Sequence, residues 1–149
     1  MPIDEHAVAR IDRIGWGLVL GLALLAASAH AADLRVAVHG VAHTQGKVMI
    51  ALFDRPTGFP NKVVQGLALD AVPPTVTGVF TDLQPGEYAV AVYHDENGNG
   101  ALDKSLFGVP TEPYGFSRDA AGTMGPPSFA DAKFGVDGPD QTIVINLHR

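Results

Sequence analysis

Five positions able to offer oxygen to a cation fall within nine residues of this chain, in the run DENGNGALD from Asp95 to Asp103. The spacing is D-x-N-x-N-G-x-x-D. Calcium takes six to eight hard oxygens at flexible geometry, from carboxylates, amide and backbone carbonyls, and water. Asp95, Asn97 and Asn99 are alternate side chains of a tightly turning loop, so they are expected to converge on its inside. Gly100 permits the sharp turn, the carbonyl of Ala101 is expected to point inward, and Asp103 to bind directly or through water. The pattern follows the first nine positions of an EF-hand loop, but Leu106 stands at the twelfth, where a bidentate Glu would be, and a strand leads in. The missing ligand is assigned to Glu112, with Glu96 as the other acidic residue in reach. Two firm carboxylates and two neutral amides predict weak calcium binding, of about 10⁻⁴–10⁻³ M. The alternative is an Asx-rich turn whose side chains cap their own backbone amides with no ion.

Other chemistry finds less support. His39 and His43 are four apart, which places two metal ligands together only on a helix, and here they fall at a strand end and turn. His94, next to Asp95, is expected to hydrogen-bond the loop rather than ligate a metal. A hydrolase needs a nucleophile, a base and an oxyanion hole. Ser117 follows Phe116 in a loop, and no G-x-S-x-G elbow is present. Paired carboxylate chemistry by Asp95 and Glu112 would need a substrate cleft that nothing in so short a chain suggests. The domain is therefore read as non-enzymatic. Tyr114 and Phe116 could stack on a sugar or other small ligand beside Glu112 and Ser117, or could peg a long loop to the core.

The elements that must position these residues are strands. Glu87 to His94 alternates, with Tyr88, Val90 and Val92 on one face and Ala89 and Ala91 on the other. Leu34–Val41 and Lys47–Phe53 alternate likewise, and the short polar stretch between them predicts an antiparallel hairpin. Leu67, Leu69 and Ala71 mark a third strand and Val76–Phe80 a fourth. The run DLQPG, with a Pro-Gly turn placing positive φ at Gly86, predicts a second hairpin between Val76–Phe80 and Glu87–His94. Phe59 in the preceding loop DRPTGFP is expected to tuck onto the core. From Lys104 to Gln141 periodicity is weak and Gly and Pro abound, so an ordered excursion is expected, anchored by Phe107, Tyr114, Phe116, Phe129 and Phe134, with a short strand near Ala132–Val136. Thr142–Leu147 closes the chain as a strand. The sum is an all-β domain, an antiparallel β-sandwich of about seven strands.

The chain has 149 residues, 46% of them hydrophobic, with 17 Gly and 11 Pro, which suits one domain of many short strands. A formal charge of -6 argues against nucleic acid as a partner, and the lack of cysteine excludes disulfides and thiolate metal sites. Arg10 and Arg13 precede an apolar run from Ile14 to Ala29, and Ala29-His30-Ala31 offers the small residues a signal peptidase reads. Residues 1–31 are expected to be a signal peptide and residues 32–149 a single domain, periplasmic or secreted, with no stable membrane insertion after cleavage. The acidic residues Asp4, Glu5 and Asp12 are atypical of such a leader.

Three pieces, DLQPGEYAVAVYHDENGNGALD, FGVPTEPYGFS and GPPSFADAKF, together with the final strand, are similar to an uncharacterised bacterial family catalogued as domain of unknown function 2141. With the first two strands they cover most of the chain beyond the leader. Shared motifs fall on His94 to Asp103 and on Gly108, Pro110, Glu112, Tyr114, Gly115, Phe116 and Ser117. The resemblance implies an exported single domain with a transthyretin-like or immunoglobulin-like sandwich, and it implies no activity. A calcium-loaded loop supporting a surface for a protein, glycan or small-molecule partner is the function these observations favour. A periplasmic small-ligand or carbohydrate-binding protein is the alternative, and a minor hydrolase a third.

Overall fold

The computed structural model describes residues 31–149, so the expected leader, apart from Ala31, lies outside the described residues. Eight strands form two sheets: β1 (Ala32–His39), β2 (Lys47–Phe53), β3 (Gln65–Asp70), β4 (Thr75–Leu83), β5 (Gly86–Asp95), β6 (Tyr114–Phe116), β7 (Phe134–Val136) and β8 (Gln141–Asn146). The smaller sheet runs β4-β1-β8. The larger runs β3-β2-β5-β6, with β7 also paired to β5. Most pairs are antiparallel, but β8 lies parallel to β1, with Leu34 opposite Gln141 and His39 opposite Asn146. The expected β-sandwich is what forms.

Alternation dictates the interior. Leu34, Val36 and Val38 of β1, Val48, Ile50 and Leu52 of β2, and Val90 and Val92 of β5 share one core with Val76, Phe80 and Ile145. Burying each such aliphatic side chain contributes about 1.5–3 kcal/mol, so a one-residue slip of β1, β2 or β5 would turn a whole row into water. The opposite face of β2 and β5 is apolar as well. Phe53 and Ala89 are buried there with Phe116, Ala120, Phe129 and Ala132, and Ala51, Phe59, Ala91 and Tyr114 pack against them. The small side chains at 51, 89 and 91 make a low floor on which aromatic rings can sit. Phe59 contacts Phe53, Phe116 and Phe129 at centroid distances of 5.0, 6.0 and 5.8 Å. It does tuck inward, onto this outer core rather than the one between the sheets.

Neither expected hairpin forms. β1 and β2 belong to different sheets, and so do β4 and β5: β1 pairs with β4, and β2 with β3 and β5. Each short connection crosses from one layer to the other instead of reversing within a sheet. Before the second, positive φ falls on Asp82 (58°), near the end of β4, and not on Gly86. The excursion after β5 holds β6, a tight turn at Ser117–Asp119, the single-turn helix α1 (Phe129–Ala132) and β7. Ser128 begins α1 with a capping box, its hydroxyl accepting from the Asp131 amide while the Asp131 carboxylate accepts from the Ser128 amide. Phe116 and Phe129 anchor the excursion as expected, but Phe107 does not, being 93% exposed. Among the described residues, no helix is long and apolar enough to cross a membrane.

Candidate functional site

β5 ends at Asp95, and the loop folds around that carboxylate. Asp95 is buried, and its Oδ1 accepts from the amides of Gly98 and Asn99 at 2.9 and 3.1 Å, its Oδ2 from Gly100 at 2.8 Å. Gly98 and Gly100 adopt positive φ (74° and 80°), which aims successive amides at one acceptor. Asn97 Oδ1 accepts from the Asn99 amide at 3.0 Å and Asn99 Oδ1 from the Ala101 amide at 2.9 Å. Both Asn side chains then donate to Asp103: Asn99 Nδ2 reaches Oδ1 at 2.9 Å, and Asn97 Nδ2 reaches Oδ2. Asn97 and Asn99 thus converge as expected and Asp103 joins them, but Asp95, expected on the same inside, is instead taken up by the loop's backbone amides.

Glu112 closes the loop from beneath. It is 4% exposed, and its two oxygens accept from the Glu96 amide at 2.8 Å and the Asp103 amide at 3.0 Å, one at each end of the loop. The chain around it is tied down too: the amides of Thr111 and His94 donate to the carbonyls of Asp103 and Pro113 at 2.9 and 2.8 Å. Tyr93 donates its hydroxyl to the Gly100 carbonyl at 3.0 Å. Burial, then the negative Asp95 and Glu112, push the Tyr93 phenol above its ordinary value of 10.0. The neutral phenol therefore favours the fold. Its contribution is present below the ordinary pKa and is lost as pH rises from about 10 toward the raised folded value. Unfolding titrations between pH 9 and 12 should show this alkaline loss diminished in Tyr93→Phe.

Ser117, four residues past the proline that ends this clamp, faces the interior. β7 pairs with Gly86–Tyr88 and β6 with Ala91–Tyr93, and in the interval Ser117 Oγ accepts from the Val90 amide at 2.9 Å. The same hydroxyl donates to the Ala132 carbonyl at 2.6 Å, linking α1 to β5. Ser117→Ala would leave both backbone groups buried and unpaired, so denaturant unfolding should show a loss of about 2 kcal/mol.

Tyr114 and Phe116 line a cavity of about 670 Å³ beneath the excursion, together with Leu102, Phe107, Val109 and Met124. His148 closes one side, its ring 4.6 Å from that of Tyr114. The outer wall is apolar and open: Phe107, Val109 and Met124 are largely or fully exposed. Of the four residues expected at a ligand surface, the structure brings Tyr114 and Phe116 to this cavity, and it places Glu112 and Ser117 in backbone clamps.

A second cluster lies where the turn after β1 meets the end of β5. His43, His94 and Glu96 bring one ligating atom apiece to within 4.8 Å of one another, an arrangement that could coordinate a divalent cation. The His43 and His94 rings lie 4.7 Å apart. His43 Nε2 meets Glu96 Oε1 at 2.9 Å, and Arg149 also donates to Oε1. Burial pushes the Glu96 carboxyl up, but the hydrogen bonds and charges of His43 and Arg149 outweigh it and hold the group below its ordinary value. His94 bonds the Gln45 carbonyl at 2.7 Å through Nε2, so its partner is the turn after β1 and not the Asp95–Asp103 loop expected from its position. This cluster was not legible in the residue spacing. The signal available was the i, i+2 relation of His94 and Glu96 at a strand end, and nothing local placed His43 beside them.

No curated protein and no solved structure matches the chain. The family model described as "Uncharacterized protein conserved in bacteria (DUF2141)" matches residues 36–144, which include β2 to β7, the Asp95–Asp103 loop and the clamp at Glu112; the chain belongs to that family.

Proposed function

We propose that this chain is an exported, non-enzymatic binding domain that takes a small apolar or aromatic ligand in the cavity beneath the excursion, with the Asp95–Asp103 loop as the staple that holds the excursion in place. The observation that carries this reading is the apolar rim. Phe107 and Met124 are 93% and 100% exposed at the mouth of a cavity whose wall holds Tyr114 and Phe116. Apolar surface of that kind, gathered at one concavity with a few polar groups, suits a ligand site. The rim favours an apolar guest over a glycan. Binding without catalysis is supported by the state of the polar groups nearby, since Ser117, Asp95 and Glu112 already spend their oxygens on backbone partners.

Calcium is assigned the role of reinforcing the staple. Bound at the loop, it would exchange the Asn97 and Asn99 hydrogen bonds to Asp103 for ligation by the Asp103 carboxylate and the two Asn side-chain oxygens, with the Ala101 carbonyl and water completing the set, while Asp95 and Glu112 keep their backbone amides. With a Kd of about 10⁻⁴ M, 1 mM calcium should stabilise the protein by about 1.4 kcal/mol. Calorimetry should show that rise in melting temperature in the native protein and not in Asp103→Ala.

The cavity is tested with the apolar dye anilinonaphthalene sulfonate. We expect saturable fluorescence enhancement at one site, weakened at least tenfold when Phe107→Ser and Met124→Ser are combined. Both side chains are exposed, so the unfolding free energy should stay within about 0.5 kcal/mol of the native value. Equal dye affinity in the double variant would remove the basis for this reading.

A further inference from the structure

We propose that His43, His94 and Glu96 form a binding site for a late first-row divalent cation, with zinc as the type case, separate from the calcium assigned to the Asp95–Asp103 loop. Two imidazoles and a carboxylate are the donor set such ions select, whereas calcium takes oxygen ligands throughout. The three side chains supply their ligand atoms within 4.8 Å of one another.

The independent observation is on His94. Its ring is fully buried, and Nδ1 is, among the described residues, the buried side-chain polar atom with no hydrogen-bond partner. The other ring nitrogen faces the Gln45 carbonyl at 2.7 Å, and a carbonyl only accepts, so Nε2 carries the proton and Nδ1 a free lone pair. A buried acceptor left unpaired costs about 1–3 kcal/mol. Ligation of a cation answers that cost. A metal-bound imidazole characteristically donates its other N–H to a carbonyl or carboxylate, which orients the ring and raises its basicity, and the Gln45 carbonyl stands in that place.

The other two ligands need little rearrangement. The side-chain bonds to Glu96 from His43 and Arg149 both fall on Oε1, which leaves Oε2 to face a cation while Arg149 keeps its hold. His43 contacts Glu96 through Nε2 and accepts from the Gln45 amide at Nδ1 over 3.3 Å. To ligate through Nε2 it moves its single proton to Nδ1 and gives up that long contact. Three protein ligands leave a fourth position of a tetrahedral site for water. Gly46 brings the turn bearing His43 against the Asp95 backbone, so the cation would fasten the turn after β1 to the end of β5.

The test uses tag-free, chelator-stripped protein titrated calorimetrically with zinc and, separately, with calcium. Zinc is expected to bind at one site with a Kd below about 10 μM. His43→Ala and Glu96→Gln, both at partly exposed positions that the fold tolerates, should each weaken it at least tenfold. Cobalt, added in place of zinc, should give the visible absorption of a tetrahedral site, lost in His43→Ala. His94→Gln is a further variant, read only if its circular dichroism matches the native protein. Zinc affinity unchanged in His43→Ala, or no zinc binding below 100 μM, overturns the proposal. Calcium bound with equal strength at the same residues would overturn it too. The outcome is independent of the dye experiment, because none of His43, His94 and Glu96 lines the cavity that the dye reads.

Discussion

Glu112→Ala should lower the unfolding free energy by about 3 kcal/mol, the largest effect expected of any polar side chain in the loop region. One carboxylate caps the amides of Glu96 and Asp103, which lie 16 and 9 residues before it in the chain. Hydrogen bonds to a charged acceptor contribute about 1.5–3 kcal/mol each, and an amide left unpaired in a buried setting loses most of that. Solvent can reach part of this loop, which keeps the estimate near the lower sum. Glu112→Gln retains one acceptor oxygen but sets an NH2 group against the second amide, so it should fall between alanine and the native protein. Urea unfolding measures the loss. Hydrogen exchange locates it, because the amides of Glu96 and Asp103 should lose protection before those of β2. A ligand-surface role alone would instead leave stability within about 0.5 kcal/mol and change only dye binding. Since Glu112 leads directly into β6, and thereby to Tyr114 and Phe116, the alanine variant should weaken the dye site as well.

Gly46→Ala is the second. A Cβ at that position would lie 1.8 Å from the Asp95 carbonyl oxygen and 2.8 Å from its carbon, both backbone atoms of the central strand. The backbone φ there is +73°, a region that costs a residue with a Cβ about 1–2 kcal/mol before any clash. Overlap with fixed backbone adds to this, so we expect a loss of about 4 kcal/mol or more and little soluble protein. Gly100→Ala is the control. It shares a positive φ, +80°, but nothing lies within 4 Å of the added carbon. It should cost about 1 kcal/mol, seen as a small displacement of the denaturant midpoint at unchanged slope. If both substitutions cost the same, conformation alone governs Gly46 and the close approach of the turn to Asp95 has no energetic weight.

Much of this molecule was legible because strand burial is a local property. The period-two pattern of Lys47–Phe53 located β2 to the residue, and the two faces of Glu87–His94 correctly separated Val90 and Val92 from Ala89 and Ala91. The pairing of strands was not legible. A connection of a few residues can reverse a chain within a sheet, or carry it across the roughly 10 Å between layers. Alternation reports which face is buried and says nothing about which layer the strand joins. The segments between Leu34 and Phe53, and between Val76 and His94, both read as hairpins and both cross between layers. Phe107 shows the matching limit for the excursion. A large aromatic signals burial only on average, and this one stands open at a cavity rim.

The loop from Asp95 to Asp103 divides along the same line. Its residue types determined by themselves a tight turn rich in acceptor oxygens, with Gly100 supplying the positive φ that such a turn needs. The sequence also determined that Asn97 and Asn99 share the inside, since alternate side chains of a turning loop face one way, though the same rule wrongly placed Asp95 with them. Only the tertiary structure decided where the other oxygens point. Asp95 and Glu112 are close to backbone amides that the fold itself leaves unpaired, and a buried N–H must find an acceptor before a distant ion can claim it. It likewise took the crossing of the turn after β1, brought close by Gly46, to set His43 beside His94 and Glu96. Those residues are 51 and 53 positions away, and no spacing in a sequence encodes a meeting that depends on two sheets facing each other.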